Sequence, residues 1–160
     1  MEANLGAVMF ARELIVSYRT TAGPGADRPV LATPAGAARY LAGLQPTAGV
    51  PWADEPVEAF IVLLADTTRR PIAWHLISRG TLDATLVQPR EVFRSALVAG
   101  AASIILAHNH PSGDPTPSPD DRELTRRLRA AGELLGIPVV DHVVLGHDGR
   151  YCSLVESGLL

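Results

Sequence analysis

A short apolar segment, a proline-rich loop and a long helical pattern follow one another in the second half of the chain. Residues 103–107 are small or apolar and include two adjacent isoleucines, which is typical of a buried β-strand. From Pro119 onward, apolar residues recur at helical spacing until Gly136, a residue type common just beyond a helix C-terminus. Proteins of the α/β class commonly place functional sites where a strand passes through a loop into a helix. The segment therefore predicts an α/β fold with a site in residues 108–121.

The other apolar patterns alternate between strand and helix signals and predict a mixed sheet with helices on both sides. The run at 57–65 is so apolar that it is expected to lie inside the sheet. We expect strands at 13–19, 57–65, 72–78, 81–87, 103–107 and 138–145, and helices at 34–45, 89–99 and 119–135. The core-facing residues of the last two helices are predicted to be Val92, Phe93, Ala96 and Leu97, and Leu124, Leu128, Ala131 and Leu135.

Two histidines and an aspartate have the pattern of a zinc site. His108 and His110 are separated by one residue, so an extended backbone would direct both imidazoles to the same side. Neutral imidazole is a good zinc ligand, and Asp121 is the best-placed third ligand. Three protein ligands leave one tetrahedral position open, which is the arrangement of catalytic rather than structural zinc. Ser118 would then be able to donate a hydrogen bond to an oxyanion.

Helix capping is an alternative interpretation of two of these residues. Ser118 suits the N-cap, Pro119 suits the first helical position, and Asp121 suits the first turn. Capping requires no metal, but the two roles are compatible because a capped helix start would hold Asp121 rigidly. The four positions together, at a strand–loop–helix junction, favour the metal site.

Composition and charge restrict the class of protein. The chain of 160 residues is long enough for one domain with a real core. Its formal net charge is −3, which does not favour an autonomous nucleic-acid binder. The single cysteine, Cys152, cannot form an internal disulfide, so a reducing compartment is expected. Because neither a transmembrane run nor a signal peptide is recognisable, we expect a cytoplasmic protein without a membrane segment.

The loop and its flanks resemble a known family. The pattern H-x-H-x7-S-x2-D of the JAMM (MPN-domain) zinc hydrolases is matched at His108, His110, Ser118 and Asp121. Four further stretches resemble the RadC branch of this group, so that the resemblance extends over about residues 30–155; they are residues 78–83, 89–93, 105–115 and 136–142.

The resemblance implies a fold, a metal and a catalytic base. The fold would be the JAMM/MPN (cytidine deaminase-like) α/β fold, a mixed β-sheet flanked by about three helices. Residues 31–160 would form a single domain, preceded by an edge strand and loop in residues 1–30. The cofactor would be Zn2+, held by two histidines and an aspartate, and an upstream glutamate would be the general base. Glu58 matches that position, and Glu91 is its rival, although a glutamate in a first helical turn usually serves the helix dipole.

Several other polar residues have two interpretations each. Asp141 and His142 form either a buried structural pair or a support for the metal ligands. His75 is interpreted as a packing or surface residue rather than a ligand. Trp52 is interpreted as a packing anchor, with a substrate-groove role as the alternative. The basic residues of the last helix form either a solvated face or a phosphate-binding stripe; they are Arg122, Arg126 and Arg129.

Two functions from different classes follow. The first is a zinc-dependent hydrolase that cleaves amide bonds of a peptide or protein through zinc-activated water, with Glu58 as the proton acceptor. The alternative is a non-catalytic accessory module in DNA repair or DNA metabolism, which rests on the name that the RadC family has long carried. A purely structural zinc is a third possibility. A complete ligand set favours the hydrolase, and we expect no direct nucleic-acid binding. The sequence does not indicate the oligomeric state.

Overall fold

The protein is described by a computed structural model that covers residues 28–45, 50, 52–80 and 87–160. The predicted strand at 13–19 and residues 81–86 of the strand predicted at 81–87 lie outside the described residues. The elements are α1 (Pro34–Ala42), a 3-10 helix (Trp52–Asp54), β1 (Ala59–Ala65), β2 (Pro71–Arg79), α2 (Pro89–Ala99), β3 (Ser103–Asn109), α3 (Pro119–Leu135), β4 (Val139–Leu145) and β5 (Tyr151–Ser153).

The described strands form one five-stranded mixed sheet in the order β2-β1-β3-β4-β5. Strands β3 and β4 are parallel, whereas every other neighbouring pair is antiparallel. Every residue of β1 and β3 is buried, as predicted for strands inside the sheet. The predicted fold class, a mixed sheet with three helices, is confirmed.

Two hydrophobic clusters cover the two faces of the sheet. Even-numbered residues of β1 and β3, such as Phe60, pack with residues of α2 and α3. Odd-numbered residues of the same strands, such as Ile61, pack with residues of α1 on the opposite face. Because side chains alternate along a strand, His108 faces α3 whereas Asn109 faces the side of α1.

Each helix begins at the proline that the sequence predicts. Thr33 caps α1 by accepting a hydrogen bond from the backbone N–H of Gly36, 3.1 Å away. Helices α2 and α3 end at Gly100 and Gly136, whose φ angles of 63° and 69° lie in the left-handed region that glycine adopts without strain. None of the helices in the described ranges is long and apolar enough to span a membrane.

The predicted core-facing stripes are wrong at their C-terminal ends. Leu97 is 55% exposed and Leu135 is 43% exposed. The last buried position of α3 is instead Gly132, where an added Cβ would lie 2.5 Å from the carbonyl oxygen of Ile137. The chain returns to the sheet so closely at this glycine that α3 contacts the core only as far as Gly132. Leucines beyond this point project past the edge of the core.

Substitution of Leu128 by alanine is expected to lower the free energy of unfolding by about 2–5 kcal/mol, because the side chain is fully buried between α3 and the sheet. Chemical denaturation measures this change. Leu134→Ala is the matched control in the same helix; this side chain is 88% exposed, and its removal is expected to change the free energy by less than about 0.5 kcal/mol. Equal losses in the two variants would contradict the described orientation of α3.

Candidate metal centre

Three side chains converge where β3 ends and α3 begins. His108 is the penultimate residue of β3, His110 follows the strand, and Asp121 is in the first turn of α3. One possible ligand atom from each lies within 4.8 Å of the other two. Nε2 of His108 is 3.0 Å from Nε2 of His110 and 3.3 Å from Oδ1 of Asp121. The structure thus brings together the three residues that the sequence predicts as ligands.

The loop after β3 orients the imidazole of His110. Its Nδ1 is 2.7 Å from the carbonyl oxygen of Asp114, so Nδ1 carries a hydrogen and Nε2 is directed at the cluster. The carboxylate of Asp114 accepts hydrogen bonds from the backbone N–H and the hydroxyl of Thr116, at 3.0 and 2.7 Å. Gly113 is required in this loop, since its φ is 78° and an added Cβ would lie 2.7 Å from Nδ1 of His147.

A chain of buried hydrogen bonds fixes the tautomer of His108. The hydroxyl of Thr125 donates its hydrogen to the carbonyl oxygen of Asp121, 2.5 Å away. Nδ1 of His142 is 2.5 Å from the same hydroxyl and must therefore donate to it. Nε2 of His142 then accepts from Nδ1 of His108 at 2.8 Å, which leaves the Nε2 lone pair of His108 directed at the cluster. Burial, together with the neighbouring His108, holds the pKa of His142 well below its usual value, so this ring is neutral.

Each of the two interpretations given for Asp141 and His142 describes one of these residues. Because they are consecutive in β4, their side chains face opposite sides of the sheet. Asp141 is the buried structural residue, and it accepts hydrogen bonds from the hydroxyl of Ser153 at 2.7 Å and from the backbone N–H of Val155 at 3.2 Å. His142 supports His108. Thr125 was not predicted from the sequence, although a threonine on the core face of α3, one turn after Asp121, was the available signal.

Replacement of Thr125 by valine is expected to weaken zinc binding by about 10–100-fold, the usual cost of losing a hydrogen bond that orients a ligand. Valine keeps the volume but cannot accept from Nδ1 of His142, so the tautomer of His108 is no longer fixed. Competition titration against a zinc indicator measures the affinity. Ser95→Ala is the control, because that hydroxyl bonds only to the carbonyl oxygen of Val92 within α2. Unchanged affinity in Thr125→Val would contradict the orienting role.

Ser118 and Asp121 form the predicted helix cap and also one side of the cluster. The hydroxyl of Ser118 accepts from the backbone N–H of Asp121 at 3.1 Å. The backbone N–H and the hydroxyl of Ser118 each lie 2.7 Å from Oδ2 of Asp121, which completes a capping box. Burial acts to raise the pKa of Asp121, but the adjacent imidazoles of His108 and His110 and the hydrogen bond from the hydroxyl of Ser118 outweigh it and hold the pKa well below its usual value. The carboxylate is therefore ionised, as a metal ligand must be.

Zinc affinity is expected to increase with pH through the pKa of His110. The adjacent carboxylate of Asp121 raises this pKa above its usual value by favouring the protonated ring, although burial acts in the opposite direction. A raised pKa keeps a proton on the imidazole up to a higher pH, and this proton must leave before zinc binds. Calorimetric titration in buffers of different ionisation enthalpy is expected to show about one proton released per zinc at about pH 6. An affinity that does not change between about pH 5.5 and 8 would contradict this assignment.

Glu58 lies beside the cluster, on the same face of the sheet. It directly precedes β1, in which Phe60 pairs with His108. Continued by two residues, this antiparallel register brings Glu58 alongside His110. Glu58 and Phe60 are two residues apart and so face the same side, where the ring of Phe60 stacks on His108 at 6.1 Å between centroids. The negative charge of Glu58 is among the causes that raise the pKa of His110, which agrees with this placement.

The other candidates predicted from the sequence have their own surroundings in the fold. Glu91 is in the first turn of α2, where it forms ion pairs with two arginines of that helix. His75 is on β2, and burial lowers its pKa. Trp52 is fully buried against α1, which confirms the packing role. Arg126 and Arg129 form ion pairs with glutamates of α3, as expected for a solvated face.

The geometry fits a divalent metal ion. Two imidazole nitrogens and an ionised carboxylate are directed at one point. Each of the three side chains is oriented by a further hydrogen bond to a residue outside this group. The Nε2 atoms of His108 and His110, 3.0 Å apart, would repel each other unless a cation or a proton lay between or beside them. Two imidazoles and a carboxylate are common ligands of zinc and of other first-row metals.

Comparison with known proteins is consistent with the described fold. Residues 36–159 match the family described as RadC-like JAB domain. A UPF0758 protein of Trichlorobacter lovleyi is 52% identical over 107 residues, which are 67% of this chain and 46% of that protein. A UPF0758 protein of Symbiobacterium thermophilum is 54% identical over 104 residues, which are 65% of this chain and 44% of that protein.

A third relative, a UPF0758 protein of Geobacter sulfurreducens, is 50% identical over 107 residues, again 46% of its length. The chain thus spans less than half the length of these relatives, and their names state no activity. The family match nevertheless covers most of the chain and includes β1, the loop after β3 and α3. The chain belongs to the RadC-like JAB domain family.

Proposed function

We propose that the protein is a zinc-dependent hydrolase of amide bonds in peptides or proteins. The observation that carries the proposal is the convergence of His108, His110 and Asp121 on the face of the sheet where Glu58 also lies. Two imidazoles and one carboxylate suit zinc and leave a tetrahedral position for water or substrate, which distinguishes a catalytic from a structural site. Family membership is compatible with a metallohydrolase.

In the proposed reaction, the metal would act as a Lewis acid and Glu58 would transfer the proton. Bound zinc would supply Lewis acidity, which polarises a carbonyl group and lowers the pKa of water to about 7. The carboxylate of Glu58 would accept a proton from the attacking water and return it to the nitrogen of the leaving amine. Glu58 lies just before β1, whereas the ligands come from β3, the loop after it and α3, so the base and the ligands are held by different elements.

We also assign Ser118 to the reaction, as the donor to the oxyanion. In the resting structure its hydroxyl donates to Oδ2 of Asp121. If the hydroxyl rotated towards substrate, this carboxylate oxygen would still have a hydrogen-bond donor, because the backbone N–H of Ser118 also lies 2.7 Å from it. The hydroxyl of Ser118 would thus donate to Oδ2 of Asp121 in the resting structure and to the oxyanion during the reaction.

The competing proposal, an accessory module in DNA metabolism, would be favoured by an incomplete site. All three proposed ligands are present and mutually oriented, and a carboxylate lies beside them. The basic residues Arg126 and Arg129, which a DNA-binding role would use, form ion pairs with Glu123 and Glu133. These observations support the hydrolase.

The test is zinc-dependent cleavage of a peptide library by the purified chain, followed by mass spectrometry. We expect cleavage that is lost after treatment with a chelator and returns when zinc is added. In parallel, electrophoretic mobility with single- and double-stranded DNA is expected to show no binding at physiological salt. Tight, stoichiometric zinc without cleavage of any peptide would favour a structural metal, and DNA binding without zinc would favour the accessory module.

A further inference from the structure

Asn109 separates the two histidines but faces the opposite side of the sheet. It is the last residue of β3, and its side chain is fully buried on the side of α1. A polar amide buried here would be costly unless its hydrogen-bonding groups had partners. None of these partners belongs to the metal cluster. The function of Asn109 must therefore be sought in the chain segment that it contacts.

The hydrogen bonds that the structure describes for its side chain all reach the backbone around Glu58. Oδ1 of Asn109 accepts from the backbone N–H of Ala59 at 2.7 Å. Nδ2 donates to the carbonyl oxygens of Glu55 and Val57, at 3.3 and 3.2 Å. One side chain thus binds three backbone groups within five consecutive residues, on both sides of Glu58. The carbonyl oxygen of Glu58 itself accepts from the backbone N–H of Gly80 at 2.8 Å.

The segment held in this way has no regular secondary structure of its own. Residues 55–58 lie between the 3-10 helix and β1, and backbone hydrogen bonds reach this segment at its two ends, at the N–H of Glu55 and the carbonyl oxygen of Glu58. The ion pair between Glu55 and Arg79, at 2.8 Å, ties the start of the segment to the end of β2. The side chain of Asn109 connects the rest of this segment to β3, the strand that contains His108. Alternation along the two strands then directs Glu58 towards the cluster while Ala59 and Asn109 point away.

We propose that Asn109 is a positioning residue that fixes Glu58 relative to the histidines on either side of Asn109. This inference rests on the proposed function, in which Glu58 is the base. The amide is required because it supplies one acceptor and two donors at once. Aspartate would place a carboxylate against two carbonyl oxygens, and an apolar residue would leave three buried backbone groups without a partner. A displacement of about 1 Å at a catalytic group can cost about 100-fold in rate.

The test compares Asn109→Asp with the wild type, both loaded with zinc. Asn109→Asp keeps the shape and the acceptor for Ala59 but loses both donors. We expect about one zinc per chain in both proteins, because the histidines and Asp121 remain. We expect kcat to fall by about 100-fold, and we expect Glu58→Gln to have little further effect in the Asn109→Asp background. Additive effects of the two substitutions would overturn the inference.

Two readouts do not depend on turnover. Hydrogen exchange of the peptide that contains residues 55–59 is expected to accelerate by about tenfold in Asn109→Asp, while the exchange of β4 stays unchanged. With Co2+ in place of zinc, the paramagnetic shifts of the Glu58 side chain are expected to change. If the wild type cleaves no peptide, the proposed function fails, yet these readouts still decide whether Asn109 positions Glu58. Unchanged exchange and unchanged shifts would overturn the inference.

A destabilised control separates positioning from general loss of stability. Leu41→Ala removes a fully buried side chain of α1 on the same face of the sheet as Asn109, opposite the face of the metal cluster. We expect this variant to lower the melting temperature without changing kcat or the exchange of residues 55–59. If Asn109→Asp does not fold, Asn109→Ser, which retains one hydroxyl for the same backbone groups, replaces it with the same expected outcomes. A loss of kcat in Leu41→Ala equal to that in the Asn109 variant would contradict the positioning role.

Discussion

Glu58→Gln is expected to lower kcat by about 10²–10⁴-fold and to leave the zinc content unchanged. Glutamine has nearly the same shape as glutamate but cannot accept the proton of the attacking water, and this range is the usual contribution of general acid–base catalysis. Zinc should stay bound because the donor atoms come from His108, His110 and Asp121. Elemental analysis gives the zinc content, and steady-state kinetics on a cleaved peptide give kcat.

Glu91→Gln is the matched control for this substitution. Glu91 is the other glutamate that the sequence offers as a base, but the structure places it on α2 in ion pairs with Arg90 and Arg94. We expect wild-type kcat from this variant. The assignment of the base would be overturned if Glu91→Gln lost activity while Glu58→Gln kept it. Loss of zinc from Glu58→Gln would instead show that Glu58 is a ligand.

His110→Ala is expected to abolish stoichiometric zinc binding. The loss of a ligand should weaken binding by more than the about 10–100-fold that follows the loss of an orienting partner. His110 is the best ligand to remove, because His108 is completely buried and its loss would also leave a cavity beside Phe60. Elemental analysis after dialysis is expected to find about one zinc in the wild type and almost none in the variant.

The same variant should lose stabilisation by zinc. A ligand at about 100 times its Kd adds about 2.7 kcal/mol to the free energy of unfolding, so added zinc should raise the melting temperature of the wild type but not of His110→Ala. His75→Ala is the control, since it removes a histidine of β2 that is not part of the cluster. A zinc-dependent rise in the melting temperature of His110→Ala would mean that the metal binds elsewhere.

The strand–loop–helix unit was predictable because its signals are local. Two adjacent isoleucines mark β3, and Ser118-Pro119 marks the start of α3. The spacing of His108 and His110 reflects alternation along an extended chain. Asp121 follows within the first turn of the next helix, so the three proposed ligands could be predicted without knowledge of contacts between distant residues. The capping interpretation of Asp121 is confirmed and is compatible with the ligand interpretation, since Oδ2 serves the cap while Oδ1 lies 3.3 Å from Nε2 of His108.

The helix faces were predicted less well. Helical periodicity identified Leu128 as a core residue, but it extended the stripe of α3 to Leu135, which is exposed. Periodicity describes the helix alone, whereas burial depends on where the neighbouring chain passes. Because Gly132 has no Cβ, the backbone of Ile137 can pack directly against it, and the core ends at that point.

The sequence by itself determined the α/β class, the order of the three α-helices and of strands β1 to β4, and the three residues able to bind a metal, because strand alternation, helix capping and ligand spacing act over a few residues. Only the tertiary structure decided how those ligands are oriented. The partner of His108 is 34 residues away, and the backbone groups held by Asn109 are at least 50 residues away. Sheet order and register bring these groups together, and no short-range pattern specifies which strands become neighbours.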